Sequence, residues 1–412
     1  MRKSKILIHS LVFSPDGVST AYLYNDIALG FKKANYDVVV LTTTPHYNII
    51  ESSLVHQPLF KKFFGLYFES DFNGIRVIHV PLKKHKSTLF RILSFVYWHI
   101  FSFFLGLSIK RINYILSPSP PLSIGFVSIL IAKIKKAKFI YNVQEIYPDL
   151  LINQGKLKSK FVIRVLKWAE KFVYQNSSAV VTIDQQFYNQ IKNRVIDQKK
   201  LKIIPNFVDT DLFKPVNNFS SLPESFSNDP SKVKILYAGN IGLFQDWDPV
   251  LYAANKLRET NVEFWVVGEG VKKDFLLEEI QKSNLTNIKI FPYQNRELMP
   301  IINSYADIHF ISISKEMEQE GFPSKVYTIM ACAKPMIVVS SKNSPLYNFL
   351  NELDCAILIS ENRNDNFLKS ILELVNDKNK QIELGQNGFK VIQDKYTKDK
   401  IIEKYINIFE FL

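Results

Sequence analysis

The stretch KILIHSLVFSPDGVSTAYLYNDIALGFKKANYDVVVLTTT, residues 5–44, decides the fold. It opens with a compact apolar run, KILIHSLVF. Such a run suits a parallel strand buried on both faces, which needs no polar side. AYLYNDIALGFKKAN follows with apolar residues at helical spacing, and YDVVVLTTT is a second β-branched run. This order of strand, loop, helix and strand recurs downstream. KFIYNV, AVVTID and LKIIPN read as further strands, with the helix FVIRVLKWAEKFVYQ between two of them. The alternation predicts a parallel sheet covered by helices on both faces, an α/β, Rossmann-like architecture.

After Phe213 the character changes. KPVNNFSSLPESFSNDPSK is rich in Ser, Asn and Pro and reads as a linker or long surface loop. The alternation then restarts with VKILYAG, VEFWVVGEG, IKIFPY, DIHFIS and PMIVVS, separated by helical stretches. The expected organisation is an N-terminal domain over 1–213, a linker over 214–231, a second Rossmann-like domain over 232–385 and a helical tail over 386–412. A break is expected near Gly385–Gly388. The tail could pack back on the first domain.

Composition bounds the function. A chain of 412 residues with 47% hydrophobic content can bury two full cores. Its two cysteines, Cys332 and Cys355, sit in apolar contexts, which fits a reducing compartment and excludes a disulfide scaffold. The seven histidines show no metal-binding spacing, so neither a metal site nor a cofactor is expected. The net charge of +13 calls for anionic partners. With no zinc finger, basic zipper or RNP-like motif, nucleic acid is not among the partners expected. MRKSKILIHSLVF resembles a leader, but its apolar run is short and holds His9, so a first strand is the better reading.

Ligands of open α/β sheets bind beyond the carboxyl ends of the strands, so the loops that matter should follow strands. SPDGVST, TTPHYN, QEIYPD, AGNIG and ISKEMEQEGFPSK all do, and two such domains would face each other across a cleft. In AGNIG, Gly239 and Gly242 permit close approach of backbone to a phosphate. In EGFPSK an acid, a turn, a hydroxyl and an ammonium stand at the mouth of a helix, where N–H groups attract anions. The plainer reading is a turn with a serine cap. GEG, residues 268–270, lacks the G-x-G-x-x-G context of a nicotinamide site, and no phosphate-binding P-loop is present.

Taken in order, FSPDGVSTAYLYNDIALGFKKANYDVVVLTT, QEIYPD, IPNFVDTDLF, YAGNIG, VVGEG and EGFPSKVYTIMACAKP resemble the family-four retaining glycosyltransferases. The resemblance covers nearly the whole chain and implies the glycosyltransferase-B fold. It is strongest to bacterial enzymes of O-antigen and exopolysaccharide assembly, such as fucosamine-type transferases. It implies a nucleotide-sugar donor, expected to be UDP-linked and to carry an N-acetylated amino sugar. The implied acceptor is a polyprenyl-diphosphate-linked saccharide, and transfer is expected to retain anomeric configuration.

The resemblance also distributes roles. Glu320 would hold the donor sugar, and Ser324 and Lys325 the diphosphate. Gly239, Asn240, Gly242, Gln245 and Gly268 would line the nucleotide. Asn240 and Gln245 stand where relatives carry Arg and Lys, which shifts weight onto Lys325. Thr328 replaces the usual ribose-binding Glu. Glu145 would orient or deprotonate the acceptor hydroxyl, although the departing phosphate can also serve as base. Gly17, Ser19, His46 and Asp149 are acceptor-side candidates. Catalysis is assigned to Glu320, Lys325 and Glu145. Two rivals remain: a nucleotide-sugar epimerase on a similar fold, and a degenerate nucleotide-binding partner subunit.

KKHKSTLFRILSFVYWHIFSFFLGLSIKR, residues 83–111, is the most apolar region, with Lys83, Lys84 and Lys86 before it and Lys110 and Arg111 after it. A membrane span would split the first sheet. The remaining readings are a buried helix or an interfacial helix on anionic lipid at the inner face of the cytoplasmic membrane.

Overall fold

The computed structural model describes residues 3–47, 49, 51–82, 87–226, 229, 231–315 and 322–412. The chain divides into two compact units, Met1–Asn206 with Lys398–Leu412, and Phe207–Thr397.

Unit 1 holds strands β1 (Lys5–His9), β2 (Asp37–Thr43), β3 (Phe60–Lys62), β4 (Tyr67–Phe72), β5 (Ile75–Val80), β6 (Tyr114–Ser119), β7 (Lys138–Val143), β8 (Ala179–Thr182) and β9 (Leu201–Ile203). They form one sheet in the order β3-β4-β5-β2-β1-β6-β7-β8-β9. The pairing is parallel from β5 to β9, with Leu7 of β1 opposite Val39 of β2 and Ile115 of β6. β3, β4 and β5 add an antiparallel ribbon at one edge. No strand is predicted there from the pattern, because β3 is exposed throughout and β4 is mostly half-buried. The parallel strands read clearly because both their faces are covered: Leu7, Leu41, Ile78 and Ile115 are buried on one face, and Ile6, Ile8, Val40 and Val77 on the other.

The last helix, Lys398–Phe411, packs on the first, Ser19–Lys33, in unit 1. The approach is close: a Cβ on Gly30 would stand 2.5 Å from Ile402 Cγ1. Phe409 lies 4.6 Å from the Tyr114 ring and 5.1 Å from Phe31, centroid to centroid. The Tyr114 hydroxyl donates to the Phe409 carbonyl at 2.9 Å, and Asn142 Nδ2 donates to the Tyr405 hydroxyl at 2.5 Å.

Unit 2 holds β10 (Val233–Ala238), β11 (Val262–Val267), β12 (Ile288–Phe291), β13 (Ile308–Ser312), β14 (Met336–Val339) and β15 (Ala356–Ile359). All pairs are parallel, in the order β12-β11-β10-β13-β14-β15. The chain winds outward from β10 to β12, then returns to β13 and winds the other way. The switch point therefore lies between β10 and β13, and in unit 1 between β1 and β6. Ligands of such sheets sit at this crevice.

Two expectations need correction. The helix Lys378–Lys395 runs unbroken through Gly385 and Gly388. These glycines serve packing, not termination: a Cβ on Gly385 would stand 2.2 Å from the Ala333 carbonyl oxygen. The Ser/Asn/Pro-rich stretch after Phe213 also carries core residues. Leu222 and Phe226 are buried, and Phe226 stacks on Phe291 at 4.1 Å. Two apolar anchors in a polar stretch leave no periodic signal.

Phe409 is 1% exposed, so Phe409→Ala should leave a cavity and cost roughly 3–5 kcal/mol of unit 1 stability. Denaturant unfolding checks this. A loss below about 1 kcal/mol would mean that the last helix is not part of the unit 1 core.

Candidate active site

Gly239 follows β10 and Gly268 follows β11, and the two loops interlock. Gly268 has φ +154°, and a Cβ there would stand 1.9 Å from the Gly239 carbonyl oxygen. Only glycine fits such an approach. Three N–H groups are already engaged inside this assembly. Gly239 donates to Val267 O at 2.9 Å, Ile241 to Glu269 O at 2.8 Å and Gly242 to the side-chain oxygen of Gln245 at 2.8 Å. Gln245 thus closes its own loop and keeps its NH2 group as donor. The Asn240 carbonyl accepts from the Tyr237 hydroxyl at 2.6 Å.

The helix start after β13 is similarly committed. The helix Lys325–Ala331 has seven residues, and Ser324 before it makes no side-chain cap. Val326 N–H donates to Pro323 O and Tyr327 N–H to Ser324 O, both at 3.1 Å. The serine-cap reading is therefore incorrect, and two of the backbone donors at this helix start are spent internally. Thr328 is half-buried, and its hydroxyl donates to Lys325 O at 2.9 Å, so toward a ribose it could only accept. Glu320 lies outside the described residues.

Lys325 is different. Its ammonium stands 3.6 Å from the centroid of the Tyr237 ring, and a Cβ on Gly239 would lie 2.9 Å from Nζ. The bare Gly239 backbone makes room for the amine, and the ring face supplies a weak cation partner. Among the described residues no carboxylate lies within ion-pair distance. Desolvation without a compensating anion lowers the Lys325 amine from 10.5 to about 7. Lys325 and Gly239 leave the two strands that flank the switch point. Tyr237 is clamped by Trp247, centroids 5.0 Å apart, and by its own hydrogen bond. Its role was missed because a tyrosine inside a strand reads as core.

In unit 1 the loop after β1 is tied to the loop after β2. The Asp16 Oδ1 atom accepts from the N–H groups of His46 and Tyr47, both at 2.7 Å, and Gly17 N–H donates to Tyr47 O at 2.9 Å. Asp16 is 2% exposed, and burial raises its carboxyl above the usual range. The SPDG stretch reads as turn chemistry, which concealed this role. His46 Nδ1 lies 2.9 Å from Thr44 O, which makes Nε2 the acceptor nitrogen of the neutral ring. Ser19 is exposed at the start of its helix.

The remaining candidates divide. Glu145 follows β7, and its carbonyl accepts from Ser119 Oγ at 2.9 Å. Burial and the adjacent Glu145 carboxylate push the Tyr147 phenol up to about 12. Asp149, by contrast, is held by the Arg194 guanidinium and by Gln190 Nε2 at 3.1 Å, with Lys167 at 3.9 Å. Arg194 also bridges buried Glu170 at 2.7 Å. Asp149 is thus engaged in an ion-pair network.

Known proteins share this fold. Residues 20–206 match the family described as glycosyl transferase 4-like domain, and residues 219–391 match glycosyl transferases group 1. The chain belongs to the family-four glycosyltransferases. It is 23% identical to a putative colanic acid biosynthesis glycosyl transferase of Escherichia coli K12, over 83% of this chain and 84% of that one. It is 25% identical to the E. coli UDP-Gal:alpha-D-GlcNAc-diphosphoundecaprenol alpha-1,3-galactosyltransferase, over 61% of this chain and 66% of that protein. Among solved structures, sucrose-phosphate synthase from Thermosynechococcus elongatus superposes with a TM-score of 0.76 at 14% identity, covering 99% of both chains. Anabaena HepE in complex with UDP gives 0.72 at 13% identity, covering 99% of this chain and 100% of that one. The glycosyltransferase-B fold is therefore shared across the family-four chain.

Because the free amine is only partly charged near neutrality, a diphosphate bound against it, if Lys325 faces one, should raise its pKa and draw in a proton. Affinity for UDP should then fall by up to about tenfold per pH unit above pH 7. Calorimetry between pH 7 and 9 reads this. Flat affinity over that range would mean that Lys325 does not face the diphosphate.

Proposed function

We propose that the protein transfers a sugar from a nucleoside diphosphate donor to a lipid-linked saccharide acceptor, with retention, in surface polysaccharide assembly. The carrying observation is the Lys325 amine, without a carboxylate partner among the described residues, over Tyr237 and Gly239 at the unit 2 switch point. Breaking a sugar–phosphate bond builds negative charge on the departing diphosphate. A positioned cation in a desolvated site stabilises that charge more than water does. With several of the neighbouring N–H groups committed internally, Lys325 is the main electrostatic contributor in this reading.

The donor is read as UDP-linked, carrying an N-acetylated amino sugar. UDP is supported by the galactosyltransferase relative and the UDP complex named above. The polyprenyl diphosphate acceptor is supported by the same relative, whose name specifies a diphosphoundecaprenol. Asn240, Gln245, Ser324 and Thr328 line the donor, and Glu320 holds its sugar. In unit 1, Glu145 orients the acceptor hydroxyl, and Gly17, Ser19, His46 and Asp149 surround it. Attack on the face from which the diphosphate leaves lets a phosphate oxygen take the hydroxyl proton. A lipid-linked acceptor places the enzyme at the inner face of the cytoplasmic membrane as a peripheral protein.

Lys325→Ala should weaken UDP binding by at least tenfold and abolish most transfer, while Lys325→Arg should keep part of the binding. Equal UDP affinity of Lys325→Ala and wild type by calorimetry would remove the phosphate role. Turnover of donor without any acceptor would instead point to an epimerase.

Thr328→Glu should tighten UDP binding, since a carboxylate can accept from both hydroxyls of a ribose diol. Unchanged affinity in a folded Thr328→Glu protein would show that the ribose lies elsewhere.

A further inference from the structure

The helix Thr88–Ser108 is apolar on all sides, yet protein covers only one of them. Trp98 is fully buried and stacks on His9 at 5.3 Å, and a Cβ on Gly106 would stand 2.4 Å from Ile131. The opposite side exposes Phe90, Leu93, Ile100 and Phe104, each at least half exposed. Among the described residues this is the helix long and apolar enough to cross a membrane, but its buried side belongs to unit 1. A helix apolar all round requires an apolar medium all round.

The exposure continues across neighbouring elements. The helix Leu122–Lys135 packs beside Thr88–Ser108 and bares Leu130 and Ile134. The helix Lys160–Asn176 packs beside that one in turn, where a Cβ on Gly125 would stand 2.7 Å from Val173. It presents Phe161, Val165 and Trp168 to solvent. On the other flank, the β3–β4 hairpin is held by the Tyr97 hydroxyl, which donates to Leu66 O at 3.1 Å. Its tip carries Lys61, Lys62, Phe63 and Phe64, all exposed. Patches beyond a few hundred Å² mark interaction sites.

The charge of this surface selects the partner. The three helices contain one acid, Glu170, which is buried and bridged to Arg194. Their exposed cations include Lys133, Lys160, Arg164 and Lys171. Another protein surface would bring acids to these cations but would not need so wide an apolar field. Anionic lipid supplies both, with phosphates at the rim and hydrocarbon beneath.

We propose that unit 1 docks on anionic lipid through one composite face, formed by the Phe63–Phe64 hairpin tip and the three helices, with Trp168 seated at the headgroup level. Tryptophan favours that level, where one end of its ring is apolar and the other polar. The proposal extends the reading of a lipid-linked acceptor, which the docked face would bring within reach. The lysines at 83, 84 and 86 lie outside the described residues and are not needed for it.

The chain has four tryptophans, and Trp98, Trp247 and Trp265 are buried, so an emission shift on lipid contact reports Trp168. Phosphatidylglycerol-containing vesicles should shift emission to the blue, and Trp168→Phe should abolish the shift. Pure phosphatidylcholine vesicles should give little response. In flotation, Lys160→Gln/Arg164→Gln/Lys171→Gln should weaken binding on the order of a hundredfold, at about one factor of five per cation. Phe63→Ser/Phe64→Ser should weaken it independently, and circular dichroism melts verify that both variants fold. Equal flotation of all three proteins overturns the proposal. So does a blue emission already present without lipid together with concentration-dependent dimerisation, which would assign the face to a second copy. No donor or acceptor enters these assays. Loss of docking with intact UDP binding therefore sinks the docking face alone, and intact docking without sugar transfer sinks the enzymatic reading alone.

Discussion

The amine of Lys325 rests on the face of a tyrosine and against the bare backbone of a glycine, with no anion beside it among the described residues. Much of unit 2 is arranged so that this can happen. Gly239 keeps the space open, Gly268 lets the neighbouring loop close beneath it, and the Tyr237 hydroxyl pins the loop carbonyl. A desolvated amine is costly. Between pH about 7 and the ordinary lysine range, the unfolded chain holds a proton that the folded chain releases, so the cost is fully present below pH 7 and declines as pH rises. An anionic ligand offsets that cost on binding. The site is thus unfavourable to the empty fold in the way a preorganised electrostatic site is expected to be.

The parallel strands were legible because double-sided burial writes continuous β-branched runs, as in DVVVLTT and MIVV. The glycines at 239 and 268 were legible because close backbone approach excludes every other residue. The edge ribbon from Phe60 to Val80 was not, since its outer strand is too short and too exposed to carry a pattern. Gly385 and Gly388 misled because packing and termination use the same residue. In the site, Lys325 could be named from its motif, but not its environment. That several of the backbone donors around it are already engaged, that Thr328 spends its proton on its own helix and that Asp16 ties two loops together are properties of geometry alone.

The two ends of the proposed reaction differ physically. The donor side rests on one desolvated cation and committed backbone, so its chemistry is sensitive to pH. The acceptor side gathers short polar loops around Asp16 and Glu145, beside an ion-pair network that holds Asp149. The apolar face of unit 1 adds a different constraint: a hydrophobic field rimmed by cations is stable in water only at a cost that a lipid surface removes.

The central claim is tested most directly by NMR of the Lys325 side chain, using lysine labelled at Cε and assigned with Lys325→Arg. In the free protein its resonance should titrate near pH 7, and saturating UDP should move the midpoint up by more than one unit. A midpoint near 10.5 in the free protein, or one that UDP leaves in place, would contradict the account.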